Sequence, residues 1–251
     1  SNRLIRETHK ILLQTVRGEN KMPGDFRISQ NWIGGSSLAS AKFIPPNYRY
    51  IDELMGDVER FIHNESNNVP HLIKIAILHY QFETIHPFLD GNGRVGRLLI
   101  TLYLVGQGIL NKPALYLSDY LERNRDEYYS HLTAIREKNQ IIPWIKFFLK
   151  GIISTATNAK ETFIKIIQLQ KDMEVKLHSF GTKSEKINTI LNSFYDTPIL
   201  SVKDIVTRTG IADKTTRNMI ELMLEEGLIK EMTGYGRNKL FIFEKYFNLF
   251  K

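Results

Sequence analysis

Twelve residues, His86-Pro87-Phe88-Leu89-Asp90-Gly91-Asn92-Gly93-Arg94-Val95-Gly96-Arg97, constrain this chain more than any other stretch. Ahead of them Leu72, Ile75, Ala76, Leu78, His79, Phe82 and Ile85 recur at spacings of three and four, and behind them Leu98 to Val105 is apolar enough for a buried helix. The string is therefore a loop joining two core helices, the second beginning near Gly93 or Arg94. A helix start offers unpaired N–H groups and a partial positive charge. Gly91 and Gly93 let the backbone curl so that successive N–H groups converge on one oxygen cluster, and phosphate suits such a cradle.

Arg94 and Arg97, three apart, share one side of the helix start, and each guanidinium can fork two donors onto phosphate oxygens. Asp90 is a hard oxygen ligand of the kind Mg2+ takes together with phosphate oxygens. His86 can act as a base near neutral pH without a large pKa shift. A histidine before proline is by itself more often a turn or core residue, and Gly-Asn-Gly is an ordinary turn. It is their joint occurrence that points to phosphoryl or nucleotidyl transfer.

The string resembles the signature of the Fic family, His-Pro-Phe-x-Asp/Glu-Gly-Asn-Gly-Arg-x-x-Arg, at every fixed position. The resemblance implies a nucleotide site built from Gly91, Asn92, Gly93, Arg94, Gly96 and Arg97. His86 would deprotonate a hydroxyl on a target protein, the oxygen would attack the α-phosphate of ATP, and Asp90 would hold Mg2+ between the α- and β-phosphates. Phe88 would be a buried anchor. In the related Doc kinases a lysine stands where this chain has Gly93, which favours nucleotidyl transfer here. The fold implied is mainly α, a Fic-type helical domain with a β-hairpin flap, and the resemblance covers about residues 3 to 150.

The 251 residues contain no cysteine, which excludes disulfides, thiol nucleophiles and Cys-ligated zinc. No run of eighteen apolar residues and no basic-then-apolar leader occurs, so the expectation is a cytoplasmic protein without a membrane span. The net charge of +7 invites a nucleic-acid reading. From Ser184 to Lys251, however, ten Lys and Arg meet nine Asp and Glu, so the charge is not concentrated there.

Residues 3 to 17 place Leu4, Ile5, Thr8, Ile11 and Leu12 on one side of a helix that ends at Gly18. Phe26-Arg27-Ile28 alternates like a short strand, and Trp32 to Pro46 reads as a Gly-turned hairpin. By resemblance, residues of about 26–46 form a flap over the nucleotide, in which Ile33, Gly34, Gly35 and Phe43 would meet the target's backbone by strand addition. Tyr50 to His63 is amphipathic and is followed by a polar turn from Asn64 to Asn68. His79 reads as a packed core residue, since helical metal sites show a second ligand four residues away. Ser118 to Tyr129 also looks Fic-like, with Asn124 a further nucleotide contact by resemblance, while Tyr120, Tyr128 and Tyr129 read equally well as half-buried helix residues. Pro143 stands in the first turn of another helix.

Residues 1–150 form the first expected domain and 151–183 a helical linker. Residues 184–251 fit a winged helix-turn-helix: a helix from Lys186 to Tyr195, Ser201 capping Val202 to Thr209, a turn at Gly210, a helix from Lys214 to Glu226 and a hairpin turning at Gly234 to Arg237. As a DNA reader it would use Lys214, Thr216, Arg217 and Arg237, and as a docking module it would bind protein, alternatives that composition leaves open.

Two functions compete. The first is transfer of AMP from ATP to a Ser, Thr or Tyr hydroxyl of a target protein. The second is a transcriptional regulator or adaptor that uses the Fic fold as a nucleotide sensor, with transfer of another nucleotide or removal of AMP as variants of the first. His86 favours the enzyme, because sensing needs no base. Many Fic proteins carry an inhibitory Ser/Thr-x-x-x-Glu-Gly/Asn helix whose glutamate pairs with the last arginine. Thr133 and Glu137 have that spacing but Lys138 follows, so such a segment is expected upstream of Ser1.

Overall fold

The computed structural model describes residues 1–14, 21–64, 66 and 68–250. They form two compact units, Ser1–Thr157 and Asn158–Lys251.

The first unit is helical: α1 (Asn2–Leu13), α2 (Ile51–His63), α3 (His71–Ile85), α4 (Asn92–Gly106), α5 (Leu117–Arg123), α6 (Arg125–Lys138) and the start of α7 (Ile141–Leu177). At its centre is α3, with Ile75, Leu78, His79, Phe82 and Glu83 all buried and α2 and α4 packed against it. A helix enclosed on this many sides is apolar all round, which is why its sequence shows no clean polar face. Trp144 of α7 is fully buried and donates its indole N–H to Ala76 O at 3.0 Å. Lys74 is buried as well, its ammonium donating to Ile62 O and Asn64 O at the C-terminus of α2, where a cation satisfies the last carbonyls.

Three expectations about this unit change. The buried face of α1 is Ile5, His9 and Leu13, while Leu4 and Ile11 are exposed. The expected apolar stripe is rotated because a histidine occupies a core position. The expected end at Gly18 lies outside the described residues, as do two residues of the polar turn, Glu65 and Asn67. Phe26-Arg27-Ile28 forms no strand, since the side chain at its centre is buried rather than alternating outward. The hairpin over Trp32 to Pro46 is reduced to a single antiparallel bridge between Ile33 and Phe43, with a 3-10 turn at Leu38–Ser40. Gly34 and Gly35 adopt φ of 71° and 73°, and a Cβ on Gly35 would meet Ser40 O at 2.2 Å.

The stretch expected as a linker is divided between the units. Ile152 lies in the first core, whereas Met173 and Leu177 of α7 lie in the second. The second unit continues with α8 (Ser184–Asp196), β1 (Ile199–Ser201), α9 (Val202–Thr209), α10 (Asp213–Glu225), β2 (Lys230–Glu231), β3 (Leu240–Ile242) and α11 (Glu244–Phe247). Its antiparallel sheet has the order β1-β3-β2, with Ile242 facing both Ile199 and Lys230. Ser201 caps α9 as the sequence suggests, its hydroxyl accepting from Asp204 N while the Asp204 carboxylate accepts from Ser201 N at 2.9 Å, and Gly210 ends α9 at φ 70°. Phe194, Ile205, Met223 and Phe243 fill the core beneath.

Candidate active site

The loop between α3 and α4 is shaped by its two ends. His86 terminates α3 in the left-handed region, at φ 51° and ψ 61°, and its N–H still reaches Phe82 O at 2.9 Å. Pro87 cannot extend the helix. At the other end Gly91, at φ 77°, precedes the first residue of α4, Asn92, which lies one residue ahead of where the sequence places the helix start. Between them Asn92, only 2% exposed, turns its amide back onto Phe88, accepting from Phe88 N at 2.8 Å and donating to Phe88 O at 2.7 Å. The Asn92 side chain therefore folds the loop, and Phe88 is fully buried as the anchor.

Three residues from outside the loop hold its carbonyls. Arg27 is 2% exposed, and its guanidinium donates to His86 O at 3.0 Å, Ser29 O at 3.0 Å, Pro46 O at 2.5 Å and Ile85 O at 3.4 Å, with its own N–H on Pro87 O. Burial pulls its pKa down to about 10, so it remains charged. Asn31 donates to Phe88 O at 3.0 Å. His9 stacks on Phe88 with ring centroids 3.8 Å apart. Its Nδ1 accepts from Gly24 N at 2.8 Å, so Nε2 carries the proton and donates to Asp90 O at 3.1 Å. Burial, the largest influence, lowers the His9 pKa and keeps this neutral tautomer.

Within this frame His86 is a neutral imidazole. Burial, the largest influence, lowers its pKa to about 4, outweighing the upward pull of the Glu83 carbonyl; the Arg27 and Arg136 guanidinium groups lower it further and Asp90 raises it a little. The Glu83 carbonyl stands near the ring yet outside hydrogen-bond geometry, and Nδ1 is buried without a partner. Nε2 is consequently the nitrogen open to a reactant. Asp90 is exposed beside it, one oxygen accepting from Gly91 N at 2.6 Å.

The backbone N–H groups of Asn92 and Gly93, at the start of α4, make no hydrogen bond among the described residues. The same holds for the guanidinium groups of Arg94 and Arg97, both half-buried. Two amides and two guanidinium groups at the start of α4 thus lack internal partners, an anion-attracting set. Among the described residues no group of three acidic or histidine side chains could hold a metal by itself. Asp90, a single exposed carboxylate beside this phosphate-attracting end, fits instead the mode in which Mg2+ takes one protein carboxylate plus phosphate oxygens and waters.

Other expected site residues have different roles. Gly96 faces α3, where a Cβ would lie 2.4 Å from Glu83 Oε1, and its carbonyl accepts from His79 Nδ1 at 3.0 Å. His79 is the packed core residue expected, fully buried and bonded through Nε2 to the Tyr128 hydroxyl at 2.9 Å. Asn124 sits between α5 and α6 and donates its amide to Tyr120 O at 2.8 Å. Tyr128 is buried, whereas Tyr129 is exposed. In the flap, Phe43 lies under the Arg136 guanidinium, 3.8 Å from its ring centroid. Of the residues expected to read DNA, Thr216 is excluded because it is fully buried and donates to Ile211 O at 3.2 Å. Lys214 and Arg237 are exposed, and Arg217 is paired with Asp213 at 2.7 Å.

Sequence reading passed over His9, Arg27 and Glu83. His9 is spaced four residues from Ile5 and from Leu13, a periodic signal masked by its polarity. Arg27 has no local signal, because its four acceptors lie on three separate segments.

A cationic, amide-lined loop between two core helices, with a neutral histidine at one end, has the chemistry that suits an anion such as phosphate. Residues 1–104 match the family model described as Fic/DOC family. A probable protein adenylyltransferase of Aquifex aeolicus is 39% identical over 119 residues, which is 47% of this chain and 32% of that protein. The protein adenylyltransferase Fic of Drosophila yakuba is 32% identical over 125 residues, 49% of this chain and 22% of the other. The chain therefore spans between about a fifth and a third of the length of these relatives. Among solved structures, a Fic family protein from Desulfovibrio desulfuricans superposes with a TM-score of 0.55 at 22% identity, over 97% of this chain and 68% of that one. A Fic domain containing signaling protein from Bacteroides thetaiotaomicron gives 0.51 at 21% identity, over 63% and 61%. At such identities the likeness is one of fold.

Proposed function

We propose that this chain is a protein adenylyltransferase that moves AMP from ATP to a hydroxyl side chain of a target protein. The observation that carries the reading is the pairing of a neutral, accessible His86 Nε2 with the unpartnered amide and guanidinium cluster at the start of α4. A histidine with a pKa of about 4 is deprotonated at pH 7 and free to accept a proton. Bound phosphate charge beside it raises its proton affinity as the reaction needs it.

The target's hydroxyl oxygen forms a bond to the α-phosphorus, its proton passes to His86 Nε2, and the bond from the α-phosphorus to the bridging oxygen of pyrophosphate breaks. The amides of Asn92 and Gly93 meet charge growing on the transferred phosphate, while Arg94 and Arg97 hold the outer phosphates in line. Mg2+ held by Asp90 would supply countercharge to the phosphates. Asn92 contributes through its backbone, its side chain being committed to Phe88. The bridge between Ile33 and Phe43 supports a flap that receives a target segment by backbone pairing, with Gly34 and Gly35 shaping its turn.

For residues 184–251 we propose a winged helix-turn-helix, supported by the α8, α9 and α10 arrangement with β1 and the β2–β3 hairpin. Binding to DNA would rest on Lys214 and Arg237, and on Arg217 once freed from Asp213.

Incubation with ATP labelled at the α-phosphate, Mg2+ and a lysate tests the enzyme reading. Label on protein bands is expected to fall by a factor of about 100 or more in His86→Ala. Equal label in both, with nucleotide still bound, would leave nucleotide sensing as the function.

A further inference from the structure

Glu83, on α3, is the one buried acidic side chain among the described residues, 7% exposed, and neither the fold nor the proposed chemistry accounts for it so far. Its Oε1 is buried without a hydrogen-bond partner. A buried oxygen left without a hydrogen bond costs about 1–3 kcal/mol. The oxygen is admitted only because α4 lacks side chains where the two helices meet. A Cβ on Gly96 would lie 2.4 Å from Oε1, and one on Gly93 would lie 3.9 Å from it.

The same point above Gly93 is 3.3 Å from Arg97 Nη1. The carboxyl and the guanidinium thus face each other across a glycine, close enough to interact electrostatically but with no direct ion pair between them. The other charged and titratable groups facing Glu83 are engaged elsewhere. From α6, Arg136 donates to Thr84 Oγ1 and the Glu83 backbone carbonyl and lies over Phe43, and the Tyr128 hydroxyl is bonded to His79. On α3 itself, His79 is bonded at both ring nitrogens and stays neutral. Arg136 is thus held by other partners, whereas the Arg97 guanidinium makes no hydrogen bond or ion pair among the described residues.

We propose that Glu83 is the positioning residue of Arg97: its carboxyl, lodged against Gly93 and Gly96, holds the guanidinium over the start of α4 and aims its remaining donors at the outer phosphates of the nucleotide. The inference rests on reading the loop as a nucleotide site. A guanidinium fixed by a carboxylate on one side loses less side-chain freedom when phosphate arrives on the other. Burial pushes the Glu83 carboxyl up to about 7, opposed by the Arg97 and Arg136 charges, so the holding charge is present above neutral pH and weakens below it.

Two measurements test it. Affinity for a non-hydrolysable ATP analogue is compared by calorimetry at pH 8 in the wild type, Glu83→Gln, Arg97→Ala and the double variant. Glu83→Gln keeps the side chain's volume, and it is expected to weaken binding about 3- to 10-fold when Arg97 is present and to have no further effect in the Arg97→Ala background. Equal weakening in both backgrounds, or none in either, overturns the inference. The second measurement needs no nucleotide: the Glu83 side-chain carbon is titrated by 13C NMR. Its midpoint is expected to rise by about one pH unit or more in Arg97→Ala, and an unmoved midpoint overturns the coupling. Failure of the wild type to bind the analogue would count against the nucleotide site itself, while the titration would still decide whether Glu83 and Arg97 act together.

Discussion

At the scale of single residues, the loop owes its shape to groups that never face a ligand. Arg27→Met would leave the carbonyls of Ile85, His86, Ser29 and Pro46 without their buried donor, and is expected to destabilise the fold by about 3 kcal/mol or more, measured by urea unfolding. His9→Phe keeps a ring on Phe88 but removes the bonds to Gly24 and Asp90. The expected loss is about 1–2 kcal/mol in the same experiment, together with weaker nucleotide binding, because Asp90 and Gly91 lose their tether. Legibility at this scale was uneven. The residues of the loop announced themselves because their types and spacing are rarely combined without a purpose. The residues that hold the loop did not, because hydrogen bonds to carbonyls from 2 to 81 positions away leave no mark on local sequence.

At the scale of elements, helices were legible and so was the β2–β3 hairpin, which turns where the sequence places it, but the extended segments of the first unit were not. The periodicity of α3, the polar stop after α2 and the Ser201 cap each express forces acting within a few residues, and their bounds fell close to expectation. Phe26-Arg27-Ile28 and the Trp32–Pro46 hairpin depend on what they pack against, so alternation alone misled in the first case and overstated in the second. The flap has one bridge to hold its two arms, and the Arg136 guanidinium over Phe43 is its link to α6 and, through Thr84, to α3. Arg136→Gln is expected to leave the global unfolding midpoint within about 1 kcal/mol of wild type. Hydrogen exchange at the Ile33 and Phe43 amides should nevertheless rise several-fold, and an unchanged exchange rate would mean that the bridge stands without the arginine.

At the scale of the molecule, buried titratable groups set how stability follows pH. The His79 and His86 values, lowered from 6.5 to about 4, give stability that is present above 6.5 and lost as pH falls through 4. Glu83, raised from 4.5 to about 7, works the other way, its contribution present below 4.5 and lost as pH rises through 7. Urea unfolding of Glu83→Gln against wild type at pH 5 and pH 8 is therefore expected to show the variant gaining relative stability at the higher pH. His79→Gln should flatten the loss seen in wild type between pH 6.5 and 4. Two units were legible in the sequence, as 1–150 and 184–251 about an expected linker, but where one ends was not, because the single helix α7 contributes to both cores and keeps one unbroken periodicity. One backbone angle has a further bearing on the whole. His86 stands at φ 51°, where a chain chosen for durability alone would carry glycine or asparagine. His86→Gly relieves that twist and removes the lone ring nitrogen buried beneath it, so the silent variant is expected to outlast the working one on heating. Hardiness and competence are here set against each other at one position.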